Sequence, residues 1–129
     1  MADAFKILGQ LAPTDTSEDE LYVVPVTDSK TVGGVAVAPK ALSVTTQTVV
    51  HTIIVCNLAG NTPTFDIRLK NAADDADVNQ EYLFKSVATT ANSTRILSLG
   101  LTLSAGNQIK VKTSIADEIA FTAMGIEVT

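Results

Sequence analysis

The sequence predicts an all-β fold, a single antiparallel β-sandwich with a β-hairpin insertion, and three observations carry that prediction. Val, Ile and Thr are abundant, apolar and polar residues alternate over short runs, and Gly, Asn and Ser punctuate those runs. The clearest run is Thr64-Phe65-Asp66-Ile67-Arg68-Leu69-Lys70. Successive side chains of a strand point to opposite faces, so Phe65, Ile67 and Leu69 are expected to face a core and Asp66, Arg68 and Lys70 to face outward. Residues 108–113 repeat the pattern, with Ile109 and Val111 inward and Lys110 and Lys112 outward. About eight such strands favour a sandwich over a parallel α/β sheet. The strand count favours a jelly-roll-like order, with an immunoglobulin-like sandwich as second choice.

Taken in order, residues 5–11 are expected to add a short edge strand within an N-terminal arm, residues 1–19. The arm would lie across a neighbouring molecule and order on binding, so that its removal should leave the fold intact. A strand at 20–24 ends at Pro25. Residues 26–46, small and β-branched with Gly33-Gly34 and Pro39, form the insertion. It is expected to be a hairpin in which 30–37 pair with 41–45 around Pro39-Lys40, suited to contact with a neighbouring subunit; a surface loop is the alternative. Residues 48–57 are apolar on both faces, which predicts a central strand covered on each side. Further strands are expected at 81–87, 94–99 and 118–128, the last with a bulge or bend at Gly125. Turns fall at Ala59-Gly60-Asn61, 71–79, Ala91-Asn92-Ser93 and 104–107, with short helical turns around 16–20 and 72–77.

The chain of 129 residues fits one domain large enough to bury its own core, and its 46% hydrophobic content excludes a disordered chain. Only 18% of residues are charged, against about a quarter on average. Much of the surface must therefore be Thr, Ser, Asn and small apolar residues, the kind of surface that other proteins cover. A net charge of −5 and nine scattered basic residues exclude nucleic acid as a partner. A lone cysteine, Cys56, excludes an intrachain disulfide framework. The N-terminal residues lack the pattern of a secretory signal, and no apolar run has the length of a membrane span, so synthesis in a cytoplasm and no membrane partner are expected.

Groups for catalysis are sparse. His51 is the only histidine, and a dyad with Cys56 is disfavoured because an odd spacing along one strand puts the two on opposite faces. Asp75, Asp77 and Asn79 match the first ligand positions of a calcium loop, but Gln80 stands where glycine is needed and Ser86 where a bidentate glutamate belongs. These three remain weak calcium candidates beside the simpler reading of a solvated turn. Phosphate-binding glycine loops, nucleophile elbows and paired cysteine motifs are all missing. Tyr82 and Phe84 would supply a sugar-binding platform only if exposed together, and core packing is the favoured reading. The expectation is a non-enzyme without cofactor.

The order of segments over nearly the whole chain carries a resemblance. Leu8-Gly9 leads to Leu21-Tyr22-Val23-Val24-Pro25, then Val55-Cys56-Asn57, the 64–70 strand, Tyr82-Leu83, Gly106 to Val111, and Phe121-Thr122-Ala123-Met124-Gly125-Ile126-Glu127. This resembles small, non-enzymatic β-sandwich structural proteins of tailed bacteriophage virions. The 26–46 insertion departs from the shorter relatives, which pass from the Val-Pro turn almost directly into the central strand. The resemblance implies a capsid decoration, or cement, protein that binds the major capsid protein or other virion proteins as a homo-oligomer, with a trimer favoured. A neck, tail, baseplate or head-fibre component is the alternative that the same resemblance would satisfy. A host-surface or carbohydrate-binding module is the alternative of another class. Contact residues are expected on the arm and the insertion: Phe5, Leu8, Leu11, Val32, Val35, Val37, Leu42 and Val44.

Overall fold

The computed structural model of the chain describes residues 4–26, 30–32, 35–37, 47–71 and 76–128. Its strands are β1 Phe5–Leu11, β2 Asp19–Val23, β3 Lys30–Val32, β4 Val35–Val37, β5 Gln47–Asn57, β6 Thr64–Lys70, β7 Tyr82–Ala88, β8 Thr94–Ser104, β9 Gln108–Thr113 and β10 Ile119–Val128. A 3-10 turn at Asn79–Glu81 precedes β7, and there is no α-helix among the described residues.

Leaving aside β3 and β4, the first half of the chain pairs with the second half in reverse order. β1 pairs with β10, β2 with β9, β5 with β8 and β6 with β7, each pair antiparallel. The doubled ribbon then rolls on itself, because β10 also pairs with β5 and β9 with β6. The result is two four-stranded sheets in the orders β1-β10-β5-β8 and β2-β9-β6-β7. That is the strand order of a jelly roll, and it sets aside the immunoglobulin-like alternative.

The core lies between the sheets. β6 and β9 contribute Phe65, Ile67, Ile109 and Val111, as their alternation predicts, and β5 and β10 answer with Val50, Ile53, Val55, Ile119, Phe121 and Ala123. Phe65 and Phe121 meet edge to face from opposite sheets, with centroids 6.1 Å apart. Truncating Phe121 to alanine would remove that contact and leave a cavity, a loss of about 3–5 kcal/mol.

Several expectations need correction. β8 is one strand of 11 residues running through Gly100, where an end near Leu99 was expected. β3 pairs with β4, with Val32 opposite Val35, so residues 30–37 hold a hairpin of their own where pairing of 30–37 with 41–45 was expected. Residues 41–45 lie outside the described residues. The arm is also built into the fold: β1 is an edge strand on β10, with Leu8 and Leu11 packed against the core. Its removal would uncover that core, so the arm is not dispensable for folding. The irregularity expected at Gly125 falls on the partner strand: Met124 and Gly125 stand opposite Thr52 and Val50, so the skipped residue is His51 of β5.

Candidate interaction surface

Among the described residues nothing covers the outer face of the β1-β10-β5-β8 sheet, and each of its four strands contributes apolar side chains to it. Residues directly opposite in an antiparallel pair share a face, and the register therefore lays out this surface in rows. One row runs Phe5, Ile126, Val49, Thr102; the next Ile7, Met124, Thr52, Ser98; a third Gln10, Thr122, Ile54, Ile96. Phe5 is 73% exposed, Ile96 68% and Ile7 56%, while Ile54, Met124 and Ile126 are half-buried. Phe5, Ile7, His51 and Met124 line a shallow hollow of about 300 Å³. The His51 ring meets Phe5 edge-on at 6.2 Å, and its Nδ1 lies 2.6 Å from the Thr52 hydroxyl. Lys6 stands at the margin, paired with Glu127. Exposed apolar side chains grouped on one face are a common feature of interaction sites.

The outer face of the other sheet has the opposite character. Asp66, Arg68 and Lys70 do point away from the core, as their alternation predicts, yet they are buried to 8, 3 and 5% exposure, not solvated. The chain before β2 and the chain before β7 fold over them. Arg68 donates through Nε to Glu18 at 2.8 Å and through Nη2 to the same carboxylate. Its Nη1 reaches Glu81 at 2.8 Å and Asp77 at 2.9 Å. Lys70 donates to Asp77 at 2.7 Å. With Arg68 and then Lys70 bonded to it, the Asp77 carboxyl is held down to about 2.

That pairing bears on the calcium candidates Asp77 and Asn79. Asp77 spends its charge on two side-chain cations, Asn79 begins the 3-10 turn, and Asp75 lies outside the described residues. No group of three His, Cys, Asp or Glu residues is placed to hold a metal among the described residues. The sugar platform is not assembled either. Phe84 packs against the core, and the Tyr82 ring carries the Arg68 guanidinium at 5.8 Å and the Lys85 ammonium at 4.6 Å from its centroid.

His51 and Cys56 do not lie on opposite faces as their odd spacing predicts. Register shifts between Val50 and Thr52 mark a bulge at His51. Ile53 and Val55 are in the core beyond it, as Val50 is before it, so His51 and Cys56 both fall on the outer face. Five residues still separate them, about 16 Å along a strand, which is too far for a dyad.

Of the expected contact residues, Phe5 lies on the apolar face, whereas Leu8 and Leu11 are corrected to core-facing positions. Val32, Val35 and Val37 are on the β3–β4 hairpin, and Leu42 and Val44 lie outside the described residues. Ile7, Val49, Ile54, Ile96 and Met124 share the outer face with Phe5 and were not among the expected contact residues. Val49 and Ile54 belong to the run 48–57, apolar on both faces, of which one is covered among the described residues. No family model, no curated protein and no solved structure matches the chain.

Proposed function

We propose that the chain is a non-enzymatic structural protein of a tailed-phage virion, a decoration protein that docks on the capsid shell through the outer face of its β1-β10-β5-β8 sheet. The observation that carries this is β5. It is a central strand with apolar residues on both faces, of which the second sheet covers one and nothing in the described residues covers the other. A face bearing Phe5, Ile7, Val49 and Ile96 gains roughly 25 cal/mol for each Å² it buries. The low charge of the chain and the order of its segments support the same reading. Jelly rolls serve many unrelated functions, so the fold by itself carries none of this.

The partners in this reading are the major capsid protein and further copies of the chain, assembled as a trimer. Many weak apolar contacts repeated by symmetry then give avidity without a strong single site. The test is immunogold labelling of purified source particles with antibody to this protein. Label spread over the heads is the expected result. Label confined to the tail or neck would reject decoration and keep a virion role, and particles without label would reject the virion reading.

A further inference from the structure

The outer face of the β2-β9-β6-β7 sheet holds an open polar pocket of about 340 Å³, lined by Thr16, Asp66, Lys85, Ser86, Lys112 and Ser114 among others. That volume is near the lower end of small-molecule sites. At its floor the register skips Asp66, which faces Lys85 and Ser86 together in a bulge of β7. Such bulges re-aim side chains, and here Ser86 adopts φ 52 with its N–H donating to Asp66 at 2.6 Å. Lys85 donates to the other carboxylate oxygen at 3.2 Å.

Lys112 stands directly opposite Asp66 on β9 and makes no ion pair among the described residues, whereas Lys85 does pair with Asp66. The pocket thus holds two ammonium groups and one carboxylate, an excess of one positive charge in a chain of net charge −5. The Ser114 hydroxyl accepts from the Thr64 N–H at 2.8 Å, which leaves its own proton to donate. Two of the roughly four acceptor positions of the Asp66 carboxylate stay open.

These features select a ligand. One uncompensated ammonium matches one negative charge. A phosphate dianion would meet Asp66 as a like charge, whereas a hydroxyl group would use Asp66 as an acceptor. We propose that this pocket binds a hydroxyl-bearing monocarboxylate of sugar-acid size, with Lys112 holding the carboxylate and Asp66 accepting from a hydroxyl. The site is on the sheet opposite the docking face and does not depend on the proposed function.

The test is an NMR titration of the full chain with glucuronate, glucose and inorganic phosphate as separate probes, on the wild type and on Lys112→Gln. Lys112 is exposed, so the variant keeps the fold, and an otherwise unchanged amide spectrum verifies that. Expected are saturable shifts at the amides of Asp66, Ser86 and Lys112 with glucuronate, and at least about tenfold weaker binding for glucose and for the variant. Phosphate binding as tightly as glucuronate at these amides would reduce the site to a plain anion patch and overturn the proposal. Absent shifts, or glucuronate binding unchanged in Lys112→Gln, would overturn it as well.

Discussion

Arg68 and Glu18 meet side-on across 50 residues of sequence, Nε and Nη2 of the guanidinium serving the two oxygens of one carboxylate. The same cation holds Glu81, whose side chain is 11% exposed. Removing a buried cation strands its carboxylates in a poorly solvated site. Arg68→Met is therefore expected to lower stability by about 2–3 kcal/mol, less than a fully buried pair because Glu18 keeps some access to water. The readout is a lower urea midpoint with an unchanged slope. Arg68→Lys should recover only part of the loss, since an ammonium lacks the fork that grips one carboxylate twice. An unchanged midpoint in Arg68→Met would show that the clasp contributes nothing.

The same cluster sets the acid limb of stability. Bonds from Arg68 and then Lys70 hold Asp77 down to about 2 from an ordinary 3.8. Glu127 is also lowered, by Lys6 first and by Tyr22 after an opposing effect of burial. A depressed carboxylate contributes stability that is fully present above its unfolded value and lost as pH falls through its folded value. Stability should hold above pH 4 and decline toward pH 2 for Asp77, a decline that Asp77→Asn makes shallower. Because Asp77 is exposed, added salt should shrink the difference between the two proteins. Parallel acid limbs in the two would refute the assignment.

Alternation along β6 and β9 made a two-layer sandwich legible in the sequence, because apolar residues line one side of each strand and mostly polar residues the other. It did not make the cover legible. Arg68 points outward as read, but its cover includes Glu18, which no local pattern links to it. The apolar face failed for a related reason. A strand greasy on both sides reads the same whether its second cover comes from its own chain or from another molecule. Bulges account for two further misses: the shift between Ile7 and Gly9 turns Leu11 inward, opposite Phe121, although its even spacing from Ile7 reads as outward, and the one at His51 places it on the same face as Cys56.

Tyr22 links the two sheets at the alkaline end. Its hydroxyl lies 2.8 Å from the Thr48 hydroxyl and donates to Glu127 at 3.0 Å. Burial, above all, pushes its pKa up to about 12 from 10.0. The folded state then keeps a proton that the unfolded state has lost, so this contribution is present below pH 10 and disappears as pH rises toward 12. A phenolate absorbance titration should show a step near 12 that is absent from Tyr22→Phe. At neutral pH the same variant should lose about 1 kcal/mol with its hydrogen bonds.

Gly125 is irreplaceable for a local reason. A Cβ there would overlap the Val49 carbonyl oxygen and stand 3.0 Å from the Val50 Cα, both backbone atoms of the paired strand. Gly125→Ala must push β10 away from β5 and is expected to cost about 2–3 kcal/mol, with faster amide exchange at 49–50. Gly60→Ala is the control, since nothing lies within 4 Å of its added Cβ. Its change should stay within about 0.5 kcal/mol. Equal effects at the two glycines would contradict the close approach.

The proposed docking face separates from the core by the same kind of contrast. Phe5 and Ile96 are 73 and 68% exposed, so Phe5→Ser and Ile96→Asp give up little packing within the chain. Each should leave the unfolding midpoint of the monomer within about 0.5 kcal/mol. Each should also weaken co-sedimentation with capsid shells at least about tenfold, because a carboxylate at position 96 would be buried without a partner in the interface. Leu8→Asp provides the opposite pattern: Leu8 packs against the core, and its replacement should lower stability before it affects docking. Loss of docking in Leu8→Asp with an intact fold, alongside full docking in Ile96→Asp, would move the contact surface off this sheet and back to the N-terminal arm.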